Sequence, residues 1–347
     1  MLRLLILIQA NIVLWACSFA SSPAFAEDNG VRITPGKSLV YTNALPNHIG
    51  LSRNSNCLIV GDQDGKVTIW DFEKDISIFT EQIIDGPVTA VAISDDGKHG
   101  LAGGFAGQLI HIAMGEKLPK KALNICKSQI TEIAFEPNLS SEALISTGLD
   151  EGHLYSVNLK TGLHSKVFDV AKTDMAGISD RQRIIAMHSK PSSGKILVSI
   201  GPAAALLDAK TKRKLSVIDG RKSEITHVHL FEDDSAVALV HLDDIHICTL
   251  PDLKLRSTIK LVGAGGNGGV GTLPKSTLLV ATVSPADDKP GKLVIWDYKA
   301  DRLVSERVCS QGYVTAFGFD GERRIAAVGD SEGKVTVFNI ALKDMGK

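Results

Sequence analysis

The stretch Gly61-Asp62-Gln63-Asp64-Gly65-Lys66-Val67-Thr68-Ile69-Trp70-Asp71 returns near the end of the chain. There it reads Gly329-Asp330-Ser331-Glu332-Gly333-Lys334-Val335-Thr336-Val337-Phe338-Asn339. Both copies read as a tight acidic turn that feeds a β-branched strand. The second half recurs as Gly291-Lys292-Leu293-Val294-Ile295-Trp296-Asp297. Weaker copies run from Gly107 to Ala113 and from Gly152 to Asn158, and two degenerate ones begin at Ala203 and Asp244. Aligned on Lys66, the copies fall at Lys66, Gln108, His153, Ala203, Asp244, Lys292 and Lys334. They lie about 45 residues apart, the length of a four-stranded propeller blade. Seven copies therefore predict an all-β, seven-bladed β-propeller.

A second pattern sits upstream of most copies. Val88 to Gly97 reads as an inner strand and a turn, and Ile130 to Glu136, Ile225 to Phe231 and Val314 to Phe319 repeat it. Asp96-Gly97 and Asp320-Gly321 carry residues suited to two-residue hairpins, which need positive φ. After Phe338 only nine residues remain, too few for another turn and strand. The last blade then lacks its outer strand. The piece Ser38-Leu39-Val40-Tyr41-Thr42 has strand composition and no blade of its own. It is expected to pair with Lys334 to Ile340 and close the ring, since closure removes exposed sheet edges.

Together these features resemble the WD-repeat family over nearly the whole chain past residue 26. Trp70-Asp71 and Trp296-Asp297 match its dipeptide and Phe338-Asn339 approximates it. The family's Gly-His pair is missing from every blade, so the resemblance is to a divergent, WD-like propeller. It implies a rigid ring that carries binding loops.

Residues 1–26 read as a signal peptide. Arg3 precedes an apolar run from Leu4 to Trp15, and Ala24-Phe25-Ala26 offers small residues ahead of Glu27. Cleavage there leaves a single domain, residues 27–347, with no later apolar stretch long enough to span a bilayer. The expected location is outside the cytoplasm, in a bacterial periplasm. Lipid attachment at Cys17 is the alternative, because Leu14, Ala16 and Cys17 resemble a lipobox.

Chemistry is harder to find. The 347 residues carry a formal net charge of −1, which gives no nucleic-acid footprint. No G-x-S-x-G string and no Cys-x-x-Cys is present, so neither a nucleophile elbow nor a zinc ribbon is suggested. Cys57, Cys126, Cys248 and Cys309 fall on blade positions too far apart to bridge. Gly263 to Gly271 contains G-x-G-x-x-G, but no helix follows to bind a phosphate; a loop between blades five and six is the better reading. Asp62-Gln63-Asp64-Gly65 lacks the later ligands of a calcium loop. His227 and His229, with His241 and His246 nearby, are expected to be interblade hydrogen-bonding residues rather than metal ligands. Lys117, Lys120 and Lys121, and Lys210, Lys212, Arg213 and Lys214, are expected on solvated turns.

The expectation is a non-enzymatic scaffold or assembly subunit without cofactor or metal, whose partner is another protein. Two long connections, 169–183 and 284–291, are expected on one face, and Asp174, Arg181, Arg183, Asp287 and Asp288 are the candidate contact residues. The alternative is a small ligand or metal, or an enzyme site, at the mouth of the central channel. Three Trp and four Tyr make a stacked aromatic sugar platform a poor fit.

Overall fold

The computed structural model describes residues 30–40, 44–115, 119–136, 141–148, 151–172, 183–190, 193–218, 223–261, 263, 268–284 and 289–342. The signal segment and the cleavage point after Ala26 lie outside them. Seven antiparallel sheets of four strands each make seven blades. From the channel outwards we call the strands of a blade A to D. The innermost strands A are Pro46–Leu51, Val88–Ile93, Ile130–Phe135, Ile184–Lys190, His227–Leu230, Val270–Thr272 and Val314–Asp320. Strands C begin at Lys66, Gln108, His153, Ala203, Asp244, Lys292 and Lys334, the seven positions of the sequence repeat. Among the described residues no helix is long and apolar enough to cross a membrane.

The quoted motif works as a turn lock. Asp62 Oδ1 accepts the backbone N–H groups of Asp64 and Lys66, each at 2.9 Å. Asp330 Oδ1 accepts those of Glu332 and Lys334, each at 3.0 Å. Gly65 and Gly333 close these turns at φ +84° and +74°, a region that disfavours any Cβ. At the far end of strand C the same device returns. Asp71 Oδ1 takes the N–H groups of Glu73 and Lys74, and Asp297 Oδ1 takes those of Lys299 and Ala300. The dipeptide's acidic residue is therefore a turn cap, the usual work of a short acidic side chain.

The connections from A to B are longer than two-residue hairpins. Ser94 N–H bonds His99 O, so residues 95–98 form the loop. In blade seven Asp320 pairs with Ile325, and the left-handed residue is Arg324, not Gly321. Gly321 is small for another reason: a Cβ there would meet Thr272 O and Pro274 of blade six.

Strands B are buried on both faces, as Cys57–Asp62 and Ile325–Asp330 show at every position. The apolar clusters accordingly lie between blades. One joins Leu58, Val60 and Trp70 of blade one to Ala316, Ala327 and Val337 of blade seven. Polar clamps reinforce these joints on the A–B loops. Lys190, only 5% exposed, donates to Phe231 O at 2.9 Å and to Asp234 at 3.0 Å in the next blade. Arg323 likewise donates to Ser52 O at 3.2 Å and to Ser55 and Asn56 of blade one.

Ring closure is the expected one, and longer. Val31–Val40 is the outer strand of the last blade and pairs antiparallel with Lys334–Leu342. Tyr41 and Thr42, at the end of the expected strand, lie outside the described residues. The strand starts well before Ser38 because Val31 and Ile33 find Leu342 and Ile340 opposite them. Ile33 is 5% exposed and packs in a cluster with Phe338 and Ile340. The register shifts between Pro35 and Ser38, a bulge suited to a proline that has no N–H to give. Arg307 of blade six donates to Ile33 O at 3.1 Å, which ties the strand to a second blade.

Deleting residues 27–43 should abolish the single cooperative unfolding transition seen by circular dichroism in urea. Ile33→Ala should keep the fold and cost about 2 kcal/mol or more. A deletion variant with the wild-type midpoint and slope would refute closure by this strand.

Candidate functional site

Strand A is the free inner edge of every blade, so part of its backbone hydrogen-bonding capacity faces the channel. The channel encloses a cavity of about 370 Å³ walled by strands A of all seven blades. Space near the axis is scarce, and small residues dominate there. Two levels depart from that rule. At the first, His48 and Glu132 pair with the second-last residue of strand B and His227 with the last, Val240, at the level where other blades have Ala90 and Ala316. One level down, His188 and His229 stand where others have Gly50, Ala92, Ala134 and Gly318.

The histidines satisfy the edge. Val91 N–H donates to His48 Nδ1 at 3.3 Å, and Leu230 N–H donates to His188 Nδ1 at 2.7 Å. In both cases the following blade supplies the donor. With Nδ1 accepting, the remaining proton of each ring sits on Nε2. His48 Nε2 lies 3.3 Å from Glu132 Oε1, two blades on. His188 stacks on His229 with centroids 4.5 Å apart, and His229 Nε2 pairs with Thr272 Oγ1 of blade six at 3.0 Å. The interblade reading of the blade-five pair thus holds for His229. His227 bonds Thr226 Oγ1 within its own blade at 3.2 Å.

These environments set the charges. Burial pushes His48 down, but the Glu132 carboxylate outweighs it and raises the imidazole above 6.5. Burial lowers His188 to about 4, with Arg53 and Lys190 adding repulsion. Burial also takes His227 to about 4 against the pull of Glu132, and takes His229 well below 6.5. At neutral pH the channel therefore holds neutral imidazoles beside one His48–Glu132 pair. Burial raises the thiols of Cys57 and Cys126 and pushes Cys309 up to about 12, so none of these three is a ready thiolate nucleophile. All four described cysteines are free.

The residues expected from sequence scatter differently. Of the five candidate contact residues, Asp174, Arg181, Asp287 and Asp288 lie outside the described residues. Arg183 is described and bonds Glu224 of the next interblade connection at 2.7 Å. The glycine run is only partly a loop. Val270–Thr272 is strand A of blade six, and a Cβ at Gly269 or Gly271 would strike the rings of Phe317 or Phe319. Those stacked rings pack against blade six and border the cavity. The basic turns are not all solvated: Lys212 reaches Glu136 of blade three at 2.9 Å with its side chain 12% exposed. Sequence reasoning missed His48, Glu132 and His188. The loops between strands differ in length from blade to blade, so aligning the copies on the turn motif does not bring His48, Glu132 and His227 into one column.

The fold and channel define a seven-bladed β-propeller of four-stranded antiparallel blades. No family model matches the chain, and no curated protein matches its sequence. Among solved structures, the β-propeller domain of Cps50 (Swd1) from Myceliophteria thermophila is similar with a TM-score of 0.71. The match covers 87% of this chain and 99% of that domain at 15% identity, a likeness of fold alone.

The channel histidines make stability depend on pH. For His188 and His227 the unfolded state takes the proton first, below about 6.5. Stability should fall from there to about pH 4, by at most about 1.4 kcal/mol per pH unit for each. His48 runs the other way: its contribution is complete below about 6.5 and is lost as pH rises through its raised folded value. Urea midpoints at pH 7 and pH 5 should show the loss, and the His188→Asn/His227→Asn double variant should reduce it. An equally steep double variant would refute the assignment.

Proposed function

We propose that the chain is an exported, non-enzymatic scaffold that binds another protein through the face formed by its B–C turns and interblade connections. The observation that carries this reading is the exposure of two aromatic side chains on that face. Phe105, in the B–C turn of blade two, is 52% exposed, and Tyr313, in the connection from blade six to blade seven, is 50% exposed. Large aromatic side chains on turns contribute nothing to the blades that carry them and suit the buried centre of an interface. The charged residues Asp174, Arg181, Arg183, Asp287 and Asp288 form the polar rim in this proposal. The hydrogen bonds that tie the channel histidines between blades support a structural rather than catalytic use of those rings. Export rests on Arg3, the Leu4 to Trp15 run and the Ala24-Phe25-Ala26 site, with a periplasmic product that begins at Glu27.

A second reading has its own observation. The 370 Å³ cavity is of ligand size, and the His48–Glu132 pair faces into it. A small polar ligand would use that pair.

Cross-linked capture with residues 27–347 from the native envelope fraction should return one stoichiometric protein. Phe105→Asp/Tyr313→Asp should cut capture by about tenfold or more, while Glu132→Gln leaves it unchanged. Recovery of a lone chain that carries a small molecule lost in Glu132→Gln would overturn the scaffold reading in favour of the second. Intact mass of the chain from its host should place the N-terminus at Glu27. A lipid-modified Cys17 would replace release by tethering, and an unprocessed Met1 would refute both.

A further inference from the structure

The B–C hairpin of blade five differs from its counterparts. Its strand B ends at Val240 and its strand C begins at Asp244. By register, His241 occupies the place that Asp62 and Asp330 hold in blades one and seven. Those aspartates cap their turns with the side chain. Here the backbone closes the turn, with His241 N–H donating to Asp244 O at 2.8 Å. The imidazole of His241 is therefore not needed to make the turn, and it points elsewhere.

It points at two other donor groups. His246 lies two residues after Asp244 on the same strand and so shares its face. The rings of His241 and His246 have centroids 4.3 Å apart. His246 Nε2 is 3.1 Å from Asp244 Oδ1. One ligand atom from each of His241, Asp244 and His246 can be chosen so that all lie within 4.8 Å of one another. Both histidines are buried, and Asp244 is partly open to solvent.

We propose that His241, Asp244 and His246 bind one divalent transition-metal ion of the zinc class, with a further coordination position open to solvent at the rim. Two imidazoles and one carboxylate are the donor set of borderline metals, whereas calcium and magnesium take oxygen ligands. Donors at about 2.0–2.1 Å around a tetrahedral ion stand about 3.3 Å apart. The His246–Asp244 separation already meets that, and the rest closes by small side-chain movements.

The surroundings have the form of an outer shell. Metal-bound histidines hand their other ring nitrogen to a carbonyl, carboxylate or similar acceptor, which fixes the ring. His241 Nδ1 does so with Ser223, whose Oγ is at 3.0 Å and whose backbone O is at 3.3 Å. Ser223 belongs to the connection from blade four to blade five, so two blades build the site. Asp244 Oδ2 is held by Lys260 Nζ at 2.9 Å, which leaves Oδ1 toward the histidines. Lys260 also works against a cation, and removing its charge is informative for that reason.

The test uses untagged residues 27–347, stripped with chelator and dialysed against Zn²⁺, with bound metal counted by mass spectrometry. One zinc per chain is expected, with binding that weakens at acid pH because protons compete for the ligands. His241→Asn and His246→Asn should each weaken binding by about 100-fold or more. Lys260→Gln keeps all three ligands and alters a side chain 75% exposed, and should tighten binding about threefold. Co²⁺ in place of Zn²⁺ should give the intense visible bands of a low-symmetry nitrogen–oxygen site, absent in both histidine variants. Should those variants fail to fold, Asp244→Asn decides: loss of uptake supports the site and unchanged uptake overturns it. A wild-type chain that takes up no zinc, or folded histidine variants that keep it, would overturn the proposal.

Discussion

A four-stranded blade whose inner strands are apolar on both faces cannot stand with either face in water. Each blade of this protein needs a neighbour on both sides, and only a closed ring supplies two neighbours to all seven. The apolar clusters record this, because they join residues of successive blades rather than residues of one. Closure is made by Val31–Val40 against the last strand of the chain, so the two ends of the sequence share one sheet. The clamps from Lys190 and Arg323 act at the same interblade joints, where a single side chain meets carbonyls of the next turn.

The same geometry shapes the channel. Seven strands converge on one axis, so most inward positions tolerate only glycine or alanine. Several of the larger side chains there have a partner in another blade: His48 with Val91 and Glu132, His188 with Leu230, His229 with Thr272. Neutral imidazoles serve here because they offer one acceptor to an edge N–H and one donor to the channel. Dehydration in the narrow channel then keeps His188, His227 and His229 uncharged, while the Glu132 carboxylate raises His48 above its ordinary value.

Loops on such a ring answer to fewer constraints. The turn in blade five dispenses with the acidic cap that blades one and seven use and places an imidazole there instead. Phe105 and Tyr313 stand on such turns with their side chains about half exposed. Variation on this face costs the core nothing, and the protein's chemistry and its contacts are most freely built there.

Blade number, strand C positions and ring closure were legible in the amino-acid sequence, because turns and strand alternation are local. Gly65-Lys66 and Gly333-Lys334 announce the same turn wherever they fall, and a leftover strand at Ser38 to Val40 implies a blade that lacks one. The extent of that strand depended on what Ile340 and Leu342 offered across the sheet. The channel partners of the histidines, the contact of Lys212 with Glu136, and the approach of Ser223 to His241 were decided by tertiary structure. Their partners lie in other strands and other blades, and closing the ring is what brings residues so distant along the chain within hydrogen-bonding distance.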